Sequence, residues 1–267
     1  MNLKMYQVDA FTARIFGGNP AAVCILDEWI DEQLMQQIAA ENNVSETAFA
    51  VSVEGCYEIR WFTPMVEVDL CGHATLATAH VLFEHHRHPH HRILFSSRKM
   101  GILTVFRSED LLTLDFPADR IEELETPVEL AEALGKKPQR TFRGVTDYMM
   151  VYPGQKDIEQ MDPDFASLTR LGDRGVIVTA KGNDVDFVSR FFAPGIGINE
   201  DPVTGSAHTT LTPYWAKELG KNQLIARQLS RRGGELICED LGERVKLSGK
   251  AVTYLEGEIH VLDFPSA

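Results

Sequence analysis

The sequence lacks most features that mark extracellular, membrane or zinc-ribbon proteins. Its four cysteines are scattered without a C-x-x-C spacing, which argues against a zinc ribbon, a thioredoxin motif or a dense disulfide scaffold. The longest early apolar run, residues 21–26, is far shorter than the ~20 residues that a membrane span needs. The N-terminus has no apolar signal core. We therefore expect free thiols, a reducing compartment and a cytoplasmic location.

Positive charge is also scarce, since 26 Lys and Arg residues stand against 39 Asp and Glu residues and give a formal net charge of -13. A surface field of that sign repels phosphate backbones and anionic lipid, so we expect neither a nucleic-acid partner nor a membrane partner. A small anionic substrate is still compatible with this charge, because backbone donors at a helix N-terminus can outweigh a distant net charge.

Sequence motifs for redox and nucleotide cofactors are missing. There is no G-x-G-x-x-G after a strand, no G-x-x-x-x-G-K-[ST] and no H-E-x-x-H, so we expect no cofactor and chemistry from side chains alone. Residues 84–92 hold five of the nine histidines. These histidines are packed around Pro89 and lack the spacing by which a helix or strand converges ligands on one ion, so we interpret the stretch as a solvated loop with no metal site.

Length and composition are those of a folded globular protein. The chain has 267 residues, of which 44% are hydrophobic and 24% charged, and it could form one large domain or two small ones. Apolar periodicity predicts an amphipathic helix over 31–43 and a buried helix over 74–83, with strands on either side. The polar, acidic stretch 117–126 is the best candidate for a connection, and it places a domain boundary near residue 118.

Glu46 falls between the helix predicted at 31–43 and a strand predicted at 47–53. A side chain at such a junction can project into a cleft. A carboxyl group whose pKa burial raises toward neutral can take a proton from one carbon and return it at another.

The chain also carries a faint internal duplication. Arg60-Trp61-Phe62-Thr63-Pro64 resembles Arg190-Phe191-Phe192-Ala193-Pro194, and each copy is followed by an acidic loop and a glycine that opens a helix, Gly72 or Gly205. If the halves share a fold and face each other, each contributes a helix whose free N–H groups point into a shared cleft. Two such N-termini would form a carboxylate cradle.

These blocks resemble the phenazine-biosynthesis PhzF isomerases and their relatives. The resemblance covers nearly the whole chain and is carried, in order, by the motifs at residues 9–12, 16–23, 45–49 (Ser-Glu-Thr-Ala-Phe), 60–64, 71–75 and 200–207 (Glu-Asp-Pro-Val-Thr-Gly-Ser-Ala).

The resemblance implies an α+β protein with the diaminopimelate-epimerase-like fold. We expect two pseudo-two-fold-related domains, each a strongly curved, mostly antiparallel and barrel-like sheet around a central helix, with the active site in the groove between them. The halves would be 1–118 and 119–267, and a C-terminal strand near 256–265 could cross back to the first half.

For the site, the resemblance implies that Glu46 is the acid/base group and that His73, Asp201 and Ser206 line the pocket. Asp201 could orient His73 or hold a substrate group. Ser206 could donate to a carboxylate. The expected catalytic residues are Glu46, His73 and Asp201, and the expected substrate-binding residues are Asn19, Gly72, His73, Ala74, Gly205 and Ser206. The expected function is a cofactor-independent isomerase for a small carboxylate-bearing metabolite, with a homodimer as a candidate assembly.

Two alternatives stay open. The related racemases and epimerases use two cysteines at the two helix openings; Cys71 occupies the first position here, but Thr204 stands at the second. A threonine hydroxyl is too weak an acid or base to replace a thiolate without an activating partner, which disfavours two-cysteine racemisation but leaves a racemase or epimerase that uses Cys71 with another group. The second alternative is a non-catalytic interaction protein that retains the fold.

His208 is interpreted as a helix-end residue rather than as part of the site.

Overall fold

The computed structural model describes residues 1–172 and 174–261. The chain divides into two compact units: among the described residues, the first contains Met1–Asp115 and 248–261, and the second contains Phe116–Leu247. The sequence-based boundary lay between residues 118 and 119. The strand predicted near 256–265 lies partly outside the described residues, and its described part belongs to the first unit.

A ladder of strands makes up most of the first unit. The strands are β1 (Asn2–Ala10), β2 (Asn19–Leu26), β3 (Glu46–Val53), β4 (Cys56–Phe62), β5 (Glu67–Val68), β6 (Arg92–Ser97), β7 (Gly101–Ser108) and β8 (Leu111–Pro117). The paired neighbours are antiparallel, except that β2 runs parallel to β3 and β4 runs parallel to β6. A parallel pair needs a crossover connection, and a helix supplies each one.

The two crossover helices are α1 (Glu32–Asn42) and α2 (Gly72–Glu84). Helix α1 begins at Asp31, whose side chain accepts hydrogen bonds from the first free N–H groups of the helix. Helix α2 is buried along most of its length and packs against β1, β2 and β3. Its run of alanine and threonine residues gives little side-chain bulk, which lets the strands approach closely. The amphipathic helix and the buried helix predicted from periodicity are both confirmed.

The second unit repeats this arrangement. Its strands are β9 (Glu122–Leu124), β10 (Arg140–Arg143), β11 (Tyr148–Val151), β12 (Val176–Lys181), β13 (Phe187–Phe192), β14 (Gln223–Gln228), β15 (Gly234–Asp240) and β16 (Arg244–Gly249). Its helices are α3 (Val128–Ala133), α4 (Gln155–Glu159), α5 (Phe165–Arg170) and α6 (Gly205–Leu219). The parallel pairs are β11 with β12 and β13 with β14, and the helix in the second crossover is the largely buried α6.

The last strand, β17 (Ala251–His260), pairs antiparallel with β1 of the first unit. The register runs from Asn2 opposite His260 to Ala10 opposite Ala251, with an irregularity between Gln7 and Val8. In the second unit, β10 pairs antiparallel with β9 on one side and with β11 on the other.

The internal repeat is therefore confirmed in the topology and in a matched ion pair. Arg60 on β4 binds Glu67 with its Nε and Nη2 atoms, both at 2.7 Å, and lies 5.1 Å from the ring centre of Phe62. Arg190 on β13 binds Glu200 at 2.6 and 3.0 Å and lies 4.9 Å from the ring centre of Phe192. In each unit this pair fixes the acidic loop that leads into the central helix.

Among the described residues, no helix combines the length and the apolar character that crossing a membrane requires. The histidine-rich stretch 84–92 runs from the end of α2 to the start of β6. His85 donates to or accepts from the Thr253 hydroxyl at 2.9 Å, and His88 contacts the Arg92 carbonyl at 3.3 Å.

Candidate functional site

Glu46 is the first residue of β3, four residues after the end of α1. The parallel register places it beside Ala21 of β2. The residue is only 8% exposed, which is unusual for a glutamate in a molecule with an acidic surface. The junction predicted from the sequence is confirmed, and the carboxylate lies inside the unit rather than on its surface.

His73 lies in the first turn of α2 and faces Glu46. Its Nε2 atom is 2.9 Å from Glu46 Oε2, and both side chains are almost fully buried. The oxygen has no aligned hydrogen-bond donor, so the pair is held by charge and proximity rather than by a linear hydrogen bond. A buried carboxylate this close to an imidazole is an acid/base pair in which either partner can hold a proton.

Asn19 and Cys71 contact the opposite side of the His73 ring. Asn19 Nδ2 is 3.1 Å from His73 Nδ1, and Cys71 Sγ is 3.5 Å from the same nitrogen. Asn19 begins β2, directly after Gly18, whose φ is +60°. Cys71 is the N-cap residue of α2, so the predicted positions Asn19, Gly72, His73 and Ala74 all gather around the start of that helix.

Burial and the neighbouring side chains shift the pKa of His73 in opposite directions. Burial alone would lower the pKa of His73, but its contacts with Cys71 and Glu46 outweigh burial and raise that pKa well above its usual value. Burial raises the pKa of the Cys71 thiol to about 11, so this thiol is neutral at pH 7. Of the two neighbours, Glu46 is therefore the one whose charge favours the protonated form of His73.

At the start of α6, Thr204 takes the place that Cys71 has in α2. Both are N-cap residues with extended backbone, and each is followed by a glycine that begins the helix. The Thr204 hydroxyl donates to Asp201 Oδ2 at 2.5 Å. The Asp201 carboxylate is thus a direct hydrogen-bond partner of the Thr204 hydroxyl, a contact that the sequence did not reveal.

Gln228, at the end of β14 and fully buried, holds this loop in place. Its Oε1 atom accepts from the Thr204 N–H at 2.9 Å, and its Nε2 atom donates to the Asp201 carbonyl at 2.8 Å. Because a backbone N–H only donates and a carbonyl only accepts, these contacts fix the orientation of the amide. Nε2 also donates to the Thr204 hydroxyl at 3.1 Å, which directs the hydroxyl hydrogen toward Asp201.

Ser206 is exposed in the first turn of α6, and Gly205 is buried next to it. The opening N–H groups of any α-helix lack intrahelical partners, so this turn offers donors to an anion in the same way as the first turn of α2.

His208, one turn into α6, is a structural residue. It is fully buried, and its Nδ1 atom donates to the Thr204 carbonyl at 2.7 Å. Thr75 makes the matching bond in α2, from its hydroxyl to the Cys71 carbonyl at 2.6 Å. Burial lowers the pKa of His208 to about 4.

We predict that His208 makes the protein less stable in acid. In the unfolded chain the imidazole gains its proton near pH 6.5, whereas in the folded chain it does so near pH 4. Stability is therefore complete above about pH 6.5 and is lost as the pH falls to about 4, by about 3 kcal/mol in total. In His208→Thr, which copies the hydrogen bond of Thr75, this part of the pH dependence should disappear. Urea unfolding of the wild type and of His208→Thr at pH 7 and pH 4.5 measures the change in stability with pH. An equal loss of stability in the two proteins would contradict the prediction.

Comparison with known proteins agrees with the fold and the motifs. Residues 8–257 match the model of the family described as phenazine biosynthesis-like protein, PhzC-PhzF. The chain belongs to this family. An uncharacterized isomerase of Pseudomonas aeruginosa is 52% identical over 261 residues, covering 98% of this chain and 100% of the relative.

The fold of this chain is also similar to that of solved structures, including one of the PhzF family. The crystal structure of a PhzF family protein from Enterococcus faecalis is 46% identical, with a TM-score of 0.94 over 98% of this chain and 100% of the other. A hydroxyproline epimerase from Agrobacterium vitis shares only 10% identity but has a TM-score of 0.61, over 97% of this chain and 92% of the other. The predicted α+β, diaminopimelate-epimerase-like fold is confirmed. An isomerase role is supported.

The motifs of the PhzC-PhzF family pointed to most of the residues described above, but not to all of them. Nothing in the sequence singles out Gln228, which lies 24 residues after Thr204. The contact of Cys71 with His73 was also missed, although only Gly72 lies between them, because the side-chain directions at a helix start depend on the local backbone. The roles of Glu46, His73 and Asp201 stay predictions.

Proposed function

We propose that this PhzC-PhzF family member is a cofactor-independent isomerase that moves a proton within a small carboxylate-bearing metabolite. The observation that carries the proposal is the buried pair of Glu46 and His73 at the start of α2, with their atoms 2.9 Å apart. The raised pKa of His73 favours its charged form, and the carboxylate of Glu46 beside it can act as a base. Burial excludes water that would otherwise compete for the proton.

In the proposed reaction, the Glu46 carboxylate removes a proton from one carbon of the substrate. The C–H bonding electrons move into the conjugated system next to the substrate carboxylate, and the proton on Glu46 is then returned to a second carbon. The positive charge of His73 stabilises the carbanion-like intermediate as it forms. The N–H groups of Gly72, His73 and Ala74 are proposed to bind the substrate carboxylate.

Asp201, Gly205 and Ser206 are proposed as substrate-binding residues. The Thr204 hydroxyl and Gln228 hold the Asp201 loop in one conformation, which supports a role for Asp201 in orienting a polar group. Ser206 and the N–H groups of the first turn of α6 are donors for a carboxylate or carbonyl oxygen.

A racemase or epimerase that uses Cys71 is the second candidate, because its sulfur lies 3.5 Å from His73 Nδ1. The high pKa of this thiol disfavours it, since only the thiolate is an effective base. Rapid loss of activity after thiol alkylation, together with loss of activity in Cys71→Ala, would favour the racemase. Absence of any exchange activity would favour a non-catalytic interaction protein.

Hydrogen exchange tests the proposed function before the substrate is known. A panel of small unsaturated and amino-substituted carboxylates is incubated in D2O with the wild type and with Glu46→Gln, and loss of carbon-bound hydrogen is followed by NMR. We expect exchange of at least one compound by the wild type alone. Equal exchange by both proteins would refute the role of Glu46.

We also predict that chelation does not abolish the isomerase activity. All the proposed steps use side chains and backbone groups, so turnover after treatment with EDTA should be retained or increased. The measurement compares initial rates before and after chelation, with a zinc add-back. A loss of activity that zinc restores would contradict the side-chain mechanism.

A further inference from the structure

The second unit contains a cavity of about 100 Å³, and none of its lining residues belongs to the proposed isomerase site. Part of its lining comes from the buried core of this unit, namely Leu130, Leu168 and Val176. Leu171, the C-cap residue of α5, also lines it and is 45% exposed. The cavity therefore extends from the core to the surface, where a small molecule can enter.

The cavity lies where short helices cover the sheet. In the first unit, the crossover between the parallel strands β2 and β3 is α1, which has 11 residues. In the second unit, the crossover between β11 and β12 carries α4 and α5, which have 5 and 6 residues. At about 1.5 Å per residue, α5 is ~9 Å long and α1 is ~16 Å long. Unfilled apolar space deprives the lining side chains of contacts, and a ligand that fits the space restores them.

Arg174 brings a positive charge to this apolar cavity, because it is one of the lining residues. Its Nη1 atom donates to the Gly144 carbonyl at 3.2 Å, and its Nη2 atom donates to the Val145 carbonyl at 3.1 Å. Its guanidinium also lies 5.6 Å from the ring centre of Tyr148, which lines the cavity as well. These contacts hold the guanidinium in place and use only two of its five N–H hydrogens.

Arg174 also acts on the carboxylate of Asp147, but the hydrogen bonds of Asp147 go elsewhere. Burial raises the pKa of Asp147, and the charge of Arg174 offsets only part of this effect. Asp147 Oδ1 accepts from the Gly175 N–H at 3.1 Å, and Oδ2 accepts from the Thr146 hydroxyl at 2.9 Å. Within residues 1–172 and 174–261, the remaining guanidinium hydrogens of Arg174 are therefore available to an anion.

We propose that this cavity binds a small carboxylate with a single apolar ring, of the benzoate class. The ring contacts the leucine and valine side chains, and the carboxylate accepts two parallel hydrogen bonds from Arg174. The size is suitable, because an apolar cavity of roughly 150 Å³ holds a benzene molecule. All the lining residues belong to the second unit, whereas Glu46 and His73 belong to the first. The proposal does not rest on the proposed isomerase function.

The test uses 4-fluorobenzoate and its uncharged isostere 4-fluorobenzamide with the purified full chain. Fluorine NMR titration should show saturable binding of the acid with a dissociation constant of about 10 mM or lower, the range for a ligand of about ten heavy atoms. Nuclear Overhauser effects from the ring protons to the methyl groups of Leu130, Leu168 and Val176 should locate the ligand in the wild type. Arg174→Gln should weaken binding of the acid by about 10-fold or more and change binding of the amide by less than about 2-fold.

Arg170→Gln is the matched control for Arg174→Gln. Arg170 lies on α5 and donates to the Ser167 hydroxyl at 2.6 Å, so its removal takes away the same charge outside the cavity and should leave binding unchanged. Arg174→Lys keeps the charge and should retain more binding than Arg174→Gln. Thermal unfolding shows whether each variant remains folded.

Three results would overturn the proposal. The first is the absence of saturable binding by the wild type. The second is binding that Glu46→Gln weakens and Arg174→Gln leaves unchanged, since the acid would then occupy the proposed isomerase site. The third is a dimer, seen by sedimentation, that excludes the acid and dissociates in Arg174→Gln, since a second copy of the chain would then cover the cavity.

Discussion

Glu46→Gln is expected to lower turnover by about 10²–10⁴-fold, the usual contribution of a general acid/base group, while the fold and substrate binding are retained. Glutamine has the shape of glutamate and keeps part of its hydrogen bonding, but it cannot exchange a proton. Cys71→Ala is expected to change turnover by less than about 10-fold, because the pKa of this buried thiol is near 11. Steady-state kinetics of both variants on one substrate measures the difference.

The structural control for this comparison is the unfolding midpoint of each variant. If Cys71 and Glu46 worked as one relay, each change would lower the turnover number by a similar factor. Normal turnover in Glu46→Gln together with loss in Cys71→Ala would overturn the mechanism and leave the family and the fold unaffected.

Gly18→Ala is expected to lower the free energy of unfolding by about 4 kcal/mol or more. Gly18 has a φ of +60°, and a Cβ atom there would lie 2.1 Å from the Ala10 carbonyl oxygen, which is backbone and cannot move away alone. Gly18 directly precedes Asn19, so in folded Gly18→Ala protein the Asn19 side chain should also be displaced from His73. Urea unfolding gives the loss of stability.

Gly55→Ala is the matched control for Gly18→Ala. Gly55 also has a positive φ, +79°, but a Cβ atom there would meet nothing within 4 Å. Its cost is the backbone strain alone, roughly 1–2 kcal/mol. Equal losses for the two variants would show that the close approach to Ala10 is not the cause.

The sequence predicted the elements whose local signals are strong. Asp31 before an amphipathic run located α1, and the alanine-rich stretch after Gly72 located α2. The ends of strands carry weaker signals: β1 begins at Asn2, and the polar residues Asn2 and Lys4 at its start are exposed, so burial does not mark its first residues. Short strands such as β5 and β9 carry no periodic signal, since two or three residues cannot show alternation.

The candidate site shows the same division. The motif that contains Glu46 and the repeat at Gly72 and Gly205 could be recognised in the sequence, because each lies beside a turn that the local residues predict. The 2.9 Å approach of Glu46 to His73 depends on β2 and β3 running parallel, and such a long-range pairing is not encoded in any local pattern. Gln228 depends in the same way on β14 lying beside β13. Tertiary packing, not local propensity, creates these contacts.

The most direct test of the central claim, that Glu46 alone carries the proton, is a single-turnover reaction in D2O with analysis of the product by mass. Because Glu46 is only 8% exposed, a proton that it has taken from the substrate exchanges slowly with solvent. We predict that early product retains a measurable fraction of the substrate's own hydrogen at the new position, and that Glu46→Gln forms no product. Complete solvent deuterium in the first product, formed equally well by Glu46→Gln, would contradict it.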